Sequence, residues 1–150
     1  MNHLLLYMIA SLLAMASSAL AADGLTQVKS PYPATETMNR FEKNAKQKGL
    51  TIFARIDHAA GALKVGKKLR PTEVIVFGNP QGGTSFMECG QTVGIDLPLK
   101  ALVWEDALGQ VWLGYNDPAY MALRHGIADC AAAANLSKAL SELTKATIAP

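Results

Sequence analysis

The chain has 150 residues, 50% of them apolar and 17% charged, with a formal net charge of +2. That length holds one domain of ordinary size, and a high apolar share with little net charge excludes intrinsic disorder. Twelve glycines and seven prolines exclude a collagen-like chain, and two cysteines exclude a miniprotein built on disulfides.

The apolar excess lies at the start. Between Leu4 and Ala16 only Tyr7 and Ser11 carry polar side chains, and Ala19-Leu20-Ala21 then has the spacing of a secretory cleavage site. The run is shorter than the ~20 residues that cross a bilayer, and no cysteine follows it to carry a lipid. Residues 1–21 are therefore expected to be a signal peptide cut after Ala21, even though Met1-Asn2-His3 lacks Lys and Arg. Residues 22–150 are expected to be one periplasmic or secreted domain with no membrane anchor. All the Lys, Arg, Asp and Glu residues lie in this part. Their spread offers no basic stripe, so no nucleic-acid partner is expected. The densest basic run, Lys64 to Arg70, reads as a solvated loop.

Leu25 to Ser30 reads as a first strand, ended by Ser30-Pro31-Tyr32-Pro33. Thr35 is the expected N-cap of a helix with Glu36 in its first turn, where the dipole favours an acid. Met38, Phe41 and Ala45 form its apolar stripe, and Gly49 suits its C-terminus. Thr51 to Asp57 alternates as a strand, with Ile52, Ala54 and Ile56 on one face and Thr51, Phe53 and Arg55 on the other. A short helical turn follows over Asp57–Ala62. Thr72 to Gly78 is a strand buried on both faces, stopped by the turn-rich Gly78-Asn79-Pro80-Gln81-Gly82-Gly83-Thr84.

Leu102–Glu105 and Val111–Tyr115 read as a hairpin joined through Asp106 to Gly109. Asp117 caps a helix with Pro118 at its first position, which stops at Gly126. Leu136, Leu140 and Leu143 mark a final helix. The order predicts an α+β domain, an antiparallel sheet with helices on one side. Phe53, Ile75 and Phe77 are expected opposite Ile52 and Val74, so both faces carry apolar groups. A single helical layer leaves one face bare, which predicts a homodimer.

Several side chains are candidates for chemistry. Asp57 and His58 end a strand, and a histidine oriented by a carboxylate does acid–base work near neutral pH. Adjacent strand residues point to opposite faces, however, so Asp57 need not serve His58. Glu105 and Asp106 at the hairpin offer further carboxylates, and Lys100 a cation at the other end of that strand; solvent-facing turn roles compete with this. Asn79 to Thr84 offers backbone amides to an anion, against a tight turn made by glycine. It lacks the spacing and lysine of a nucleotide phosphate loop. His58, His125, Cys89 and Cys130 have no metal-ligand spacing, so neither a metal nor a cofactor is expected. Arg124 and His125 suit the last turn of a helix through its dipole. Export makes a Cys89–Cys130 disulfide plausible, with a buried free thiol as the alternative.

Longer stretches carry a family resemblance. They are Phe53-Ala54-Arg55-Ile56-Asp57-His58, Pro71-Thr72 through Phe77-Gly78-Asn79-Pro80, and Gly83-Thr84 with Met87. They continue through Asp96-Leu97-Pro98-Leu99-Lys100, Val103-Trp104-Glu105-Asp106, Gly109, Val111-Trp112, Tyr115 and Arg124-His125. Over residues 25 to 130 the chain resembles the domain of unknown function 302 family. The resemblance implies a β-α-β(4)-α arrangement like one half of the TATA-binding protein, often homodimeric, and implies no reaction. The leader and the two cysteines lie outside that pattern.

The functional expectation is an exported ligand-binding or accessory module, with a cleft near Asp57, His58, Asn79 and Glu105 for a small molecule or anion. An enzyme using His58 with Asp57 or Glu105, and a structural partner in the periplasm, are the alternatives.

Overall fold

The computed structural model describes residues 22–150, and the proposed leader lies outside them. The strands are β1 (Leu25–Ser30), β2 (Thr51–Asp57), β3 (Thr72–Gly78), β4 (Leu99–Glu105) and β5 (Val111–Asn116). The helices are α1 (Ala34–Gln47), α2 (His58–Lys64), α3 (Pro80–Cys89), α4 (Pro118–Arg124) and α5 (Ala131–Ile148), with a 3-10 segment over Gln91–Asp96. The strands form one antiparallel sheet in the order β1-β5-β4-β3-β2. The molecule is the α+β fold that the element order predicts.

The helical stripe of α1 does what its period requires. Met38, Phe41 and Ala45 are completely buried, and the Phe41 ring meets Phe77 edge-on at 5.1 Å between centroids. Alternation along the strands sends Ile75, Phe77, Ala101, Val103 and Leu113 into the same core, which Leu140 and Leu143 of α5 close. Val74, Val76, Leu102, Trp104 and Trp112 alternate with these and stay half-buried. On that second face the Trp104 ring lies over Gly114, where a Cβ would come within 3.1 Å of it. Trp104 also stacks on Trp112 with centroids 6.3 Å apart.

Three expectations need correction. The N-cap of α1 is Pro33, not Thr35. Proline fixes a suitable φ without needing its own N–H, and Thr37 donates its amide back to the Pro33 carbonyl. The faces of β2 also differ from strict alternation. A bulge between Ile52 and Ala54 places Ile52 opposite Phe77, so these two share the core face, while Ala54 and Ile56 pair with Val76 and Val74 on the other. Phe53 falls at the bulge and is 56% exposed.

The third correction concerns Gly78 to Thr84, which is not a turn-rich connection. Asn79 and Pro80 begin α3: the Asn79 side chain accepts from the Gly82 amide, with Pro80 in the first helical turn. Gly82 and Gly83 are helical and neither has a positive φ.

Candidate functional site

The expected cleft does not exist as one site. Asp57 pairs with Glu73 near the start of β3, whereas Asn79 follows Gly78 at its far end. At ~3.3 Å per residue, about 20 Å of chain separates the two positions. Glu105 belongs with Asp57, because its amide bonds Pro71 just ahead of β3. Lys100 pairs with Val76 toward the other end, and its ammonium donates to the carbonyls of Asp96 and Pro98.

At the Asp57 end the polar groups are occupied by local structure. Asp57 caps α2 by accepting from the Ala60 amide at 2.8 Å, while His58 is the exposed first residue of that helix. Asp106 accepts from the amides of Leu108 and Gln110 and from the indole of Trp112. The Trp112 bond above all, with those two amides adding to it, holds its pKa below the ordinary 3.8 against the opposing effect of burial. Arg55 bridges Glu73, Glu42 and Asn39, tying β2 and β3 to α1. Hydrogen bonding from Lys46, then Arg55, lowers the pKa of Glu42. A recess of about 240 Å³ includes Asp57 and Glu73 but neither His58 nor Glu105.

The opposite end is built differently. Asp96 accepts from Arg124 at 2.6 Å and contacts Nε2 of His125 at 2.7 Å. Nδ1 of His125 meets the Thr92 hydroxyl at 2.9 Å. The side chains of His125 and Asp96 are only 9% and 14% exposed. Beside this cluster Cys89 and Cys130 form a disulfide, with their Cα atoms 6.0 Å apart. The disulfide thus ties the end of α3 to the start of α5, and the polar contacts tie the 3-10 segment that follows to the end of α4. Among the described residues no three His, Cys, Asp or Glu side chains converge as metal ligands.

The clasp borders a cavity of about 630 Å³, which lies between α3, the 3-10 segment and α5. Phe53, Met87, Leu97 and Leu136 give it apolar walls, and no charged residue lines it. Asn79, Gln81 and Thr84 are its polar side chains. Two of the amides expected to attract an anion are taken: Gly82 donates to the Asn79 side chain and Gly83 to the Asn79 carbonyl.

Residues 26–143 match the family model described as domain of unknown function DUF302. The chain belongs to the DUF302 family. A crystal structure of an uncharacterised DUF302 protein from Bacillus stearothermophilus superposes with a TM-score of 0.75 at 21% identity, covering 84% of this chain and 99% of that one. At that identity the likeness shows the DUF302 fold alone. Over 105 residues the chain is 50% identical to proteins named fluoride-specific ion channel FluC 1 from Brucella suis and Brucella abortus. The match covers 70% of this chain and 41% and 39% of those proteins. This DUF302 chain therefore spans about two fifths of the length of those relatives.

Reading the sequence by local pattern missed both halves of this end. Asp96 and His125 lie 29 residues apart, so no spacing rule joins them. The cavity did leave a signal, because Asn79-Pro80 is the same kind of helix start as Asp117-Pro118. Taken as a cap, it turns Gly82-Gly83 from a turn into two helical positions without side chains.

Proposed function

We propose that this DUF302 domain is an exported ligand-binding module whose small-molecule ligand occupies the cavity between α3, the 3-10 segment and α5. The observation that carries the reading is the cavity itself: about 630 Å³, with mostly apolar walls and three polar side chains at one side. That volume lies within the ~300–1,000 Å³ usual for small-molecule sites. The test is a thermal-shift screen run in parallel on the wild-type protein and on Gly83→Leu, which fills the cavity. Compounds that stabilise the first and not the second support the reading. Stabilisers acting equally on both remove the cavity as the site.

Export rests on the apolar run Leu4–Ala16 and on Ala19-Leu20-Ala21. N-terminal sequencing of protein from the cell envelope should begin at Ala22, and Met1 there would contradict export. The homodimer rests on the half-buried sheet face around Val74, Leu102 and Trp112. Leu102→Lys should halve the mass seen by light scattering, and a wild-type monomer at high micromolar concentration would end that part.

A second reading is favoured by the 50% identity to a region of proteins named fluoride-specific ion channels. In it the domain is an accessory to ion transport across a membrane. Removing the chain from its own cell should then lower fluoride tolerance; unchanged tolerance removes this reading and leaves the first intact.

A further inference from the structure

We infer that the ligand of this cavity is an uncharged, predominantly apolar molecule bearing aromatic rings, not an anion or a metal ion. The inference rests on the ligand-binding reading above and adds the chemical class.

The first argument is electrostatic. A charged group taken out of water needs an opposite charge or several hydrogen bonds around it. The lining has no Asp, Glu, Lys, Arg or His. Of the first-turn amides at the helix N-terminus that borders it, those of Gly82 and Gly83 already donate to Asn79 and Pro80 has none, which leaves the Gln81 amide alone with no cation beside it. What remains on the polar side is amide and hydroxyl chemistry, from Asn79, Gln81 and Thr84. Such groups orient a carbonyl or hydroxyl without requiring charge.

The second argument comes from the two glycines. A glycine inside a helix costs ~1 kcal/mol relative to alanine, and neither Gly82 nor Gly83 recovers that by adopting a positive φ. Packing accounts for Gly82, since a Cβ there would lie 3.3 Å from the Asn79 side-chain oxygen and 3.4 Å from Leu136. It does not account for Gly83, whose Cβ would meet only Leu97, at 3.8 Å. The absent side chain at Gly83 serves neither backbone nor neighbours, and its effect is to leave the cavity open.

The third argument is the apolar surface left uncovered there. The bulge in β2 leaves Phe53 56% exposed, and Met87 is 36% exposed on the facing helix. Both line the cavity. An aromatic ring and a thioether together favour a flat, polarisable partner, and covering them supplies the hydrophobic gain of binding.

Two fluorescent probes with the same ring skeleton test this on the purified protein: neutral N-phenyl-1-naphthylamine and anionic 8-anilinonaphthalene-1-sulfonate. The neutral probe should saturate at one per chain and bind at least about tenfold tighter than the anionic one. Gly83→Leu should lose that binding while keeping the wild-type circular dichroism and Tm. Ala139→Phe fills the cavity from α5 and serves the same purpose should Gly83→Leu fail to fold. Equal or tighter binding of the anion, lost in the same variants, overturns the ligand class but keeps the cavity as a site. Absence of saturable binding by both probes, or neutral-probe binding that survives both fillings, overturns the class and the ligand-binding reading together.

Discussion

Each end of the sheet carries an acid and a histidine, and the two pairs behave in opposite ways. Asp57 and His58 are neighbours in the chain, yet Asp57 turns to cap α2 and His58 stands exposed. Asp96 and His125 are far apart in the chain, yet they meet at 2.7 Å with little exposure and with Arg124 and Thr92 completing the group. The difference lies in what each end must hold. At the first, backbone pairing of β2 with β3 already fixes the elements, so the side chains are free to serve turns and solvent. At the second, the end of α3 and the 3-10 segment after it have no strand partner and have to be tied to α5 and α4. A disulfide does the first and a largely buried polar cluster the second.

The largest expected effect tests the covalent tie. Replacing Cys89 and Cys130 with Ser together removes a crosslink spanning 41 residues, which the loop-entropy relation values at about 4 kcal/mol. His58→Ala at the other end should change stability by less than ~0.5 kcal/mol. Urea unfolding of both variants measures the contrast, and equal effects would abolish it.

Next comes the polar tie. His125→Ala leaves the Thr92 hydroxyl and one Asp96 oxygen without their partner, a loss of roughly 1–3 kcal/mol for a largely buried group. Calorimetry reads this directly, and a change within ~0.3 kcal/mol would show the contact to be incidental. A smaller effect is expected from Arg55→Met at the opposite end. The Arg55, Glu42 and Glu73 side chains are 28%, 20% and 21% exposed, and partly solvated ion pairs contribute roughly 0–1 kcal/mol. A loss above ~2 kcal/mol there would mean that the first end, too, depends on its side chains.

The smallest effect is a titration. The folded pKa of Asp106 lies below its ordinary 3.8. Its contribution to stability is therefore present above that value and is lost as pH falls through the folded pKa. Trp112→Phe removes the leading cause, so the carboxyl should titrate closer to 3.8 and lose its contribution at higher pH. Carboxyl NMR titration of the two proteins checks the sign; an unmoved pKa would assign the depression to the turn amides.

Several helix starts and stops were readable from local signals, although the cap of α1 was placed at Thr35 and not at Pro33. Asp117-Pro118 begins α4 with the Asp117 side chain accepting from Ala119, and Gly49 and Gly126 follow α1 and α4 with φ of 77° and 70°. The same chemistry at Asn79-Pro80 was hidden by Gly82-Gly83, since two helix-breaking residues outweigh a cap in any reading of propensity. The bulge at Phe53 was not readable, because a strand that skips one residue keeps the same composition. Of the segments singled out for chemistry, Asn79 to Thr84 lines the large cavity, there beside Met87 and Leu97 from the family stretches, whereas Asp57, His58, Lys100, Glu105 and Asp106 do not.

The sequence alone determined the class of fold, because α and β periods, caps and hairpin turns each depend on residues a few positions apart. It also determined that the strands alternate apolar groups on two faces, which follows from the pleat. Which acid meets which histidine, that Cys89 bonds Cys130, and that Gly83 opens onto a cavity were decided by tertiary structure. Those relations join residues from separate elements, and their distances exist only once the sheet order has placed α3, α4 and α5 side by side.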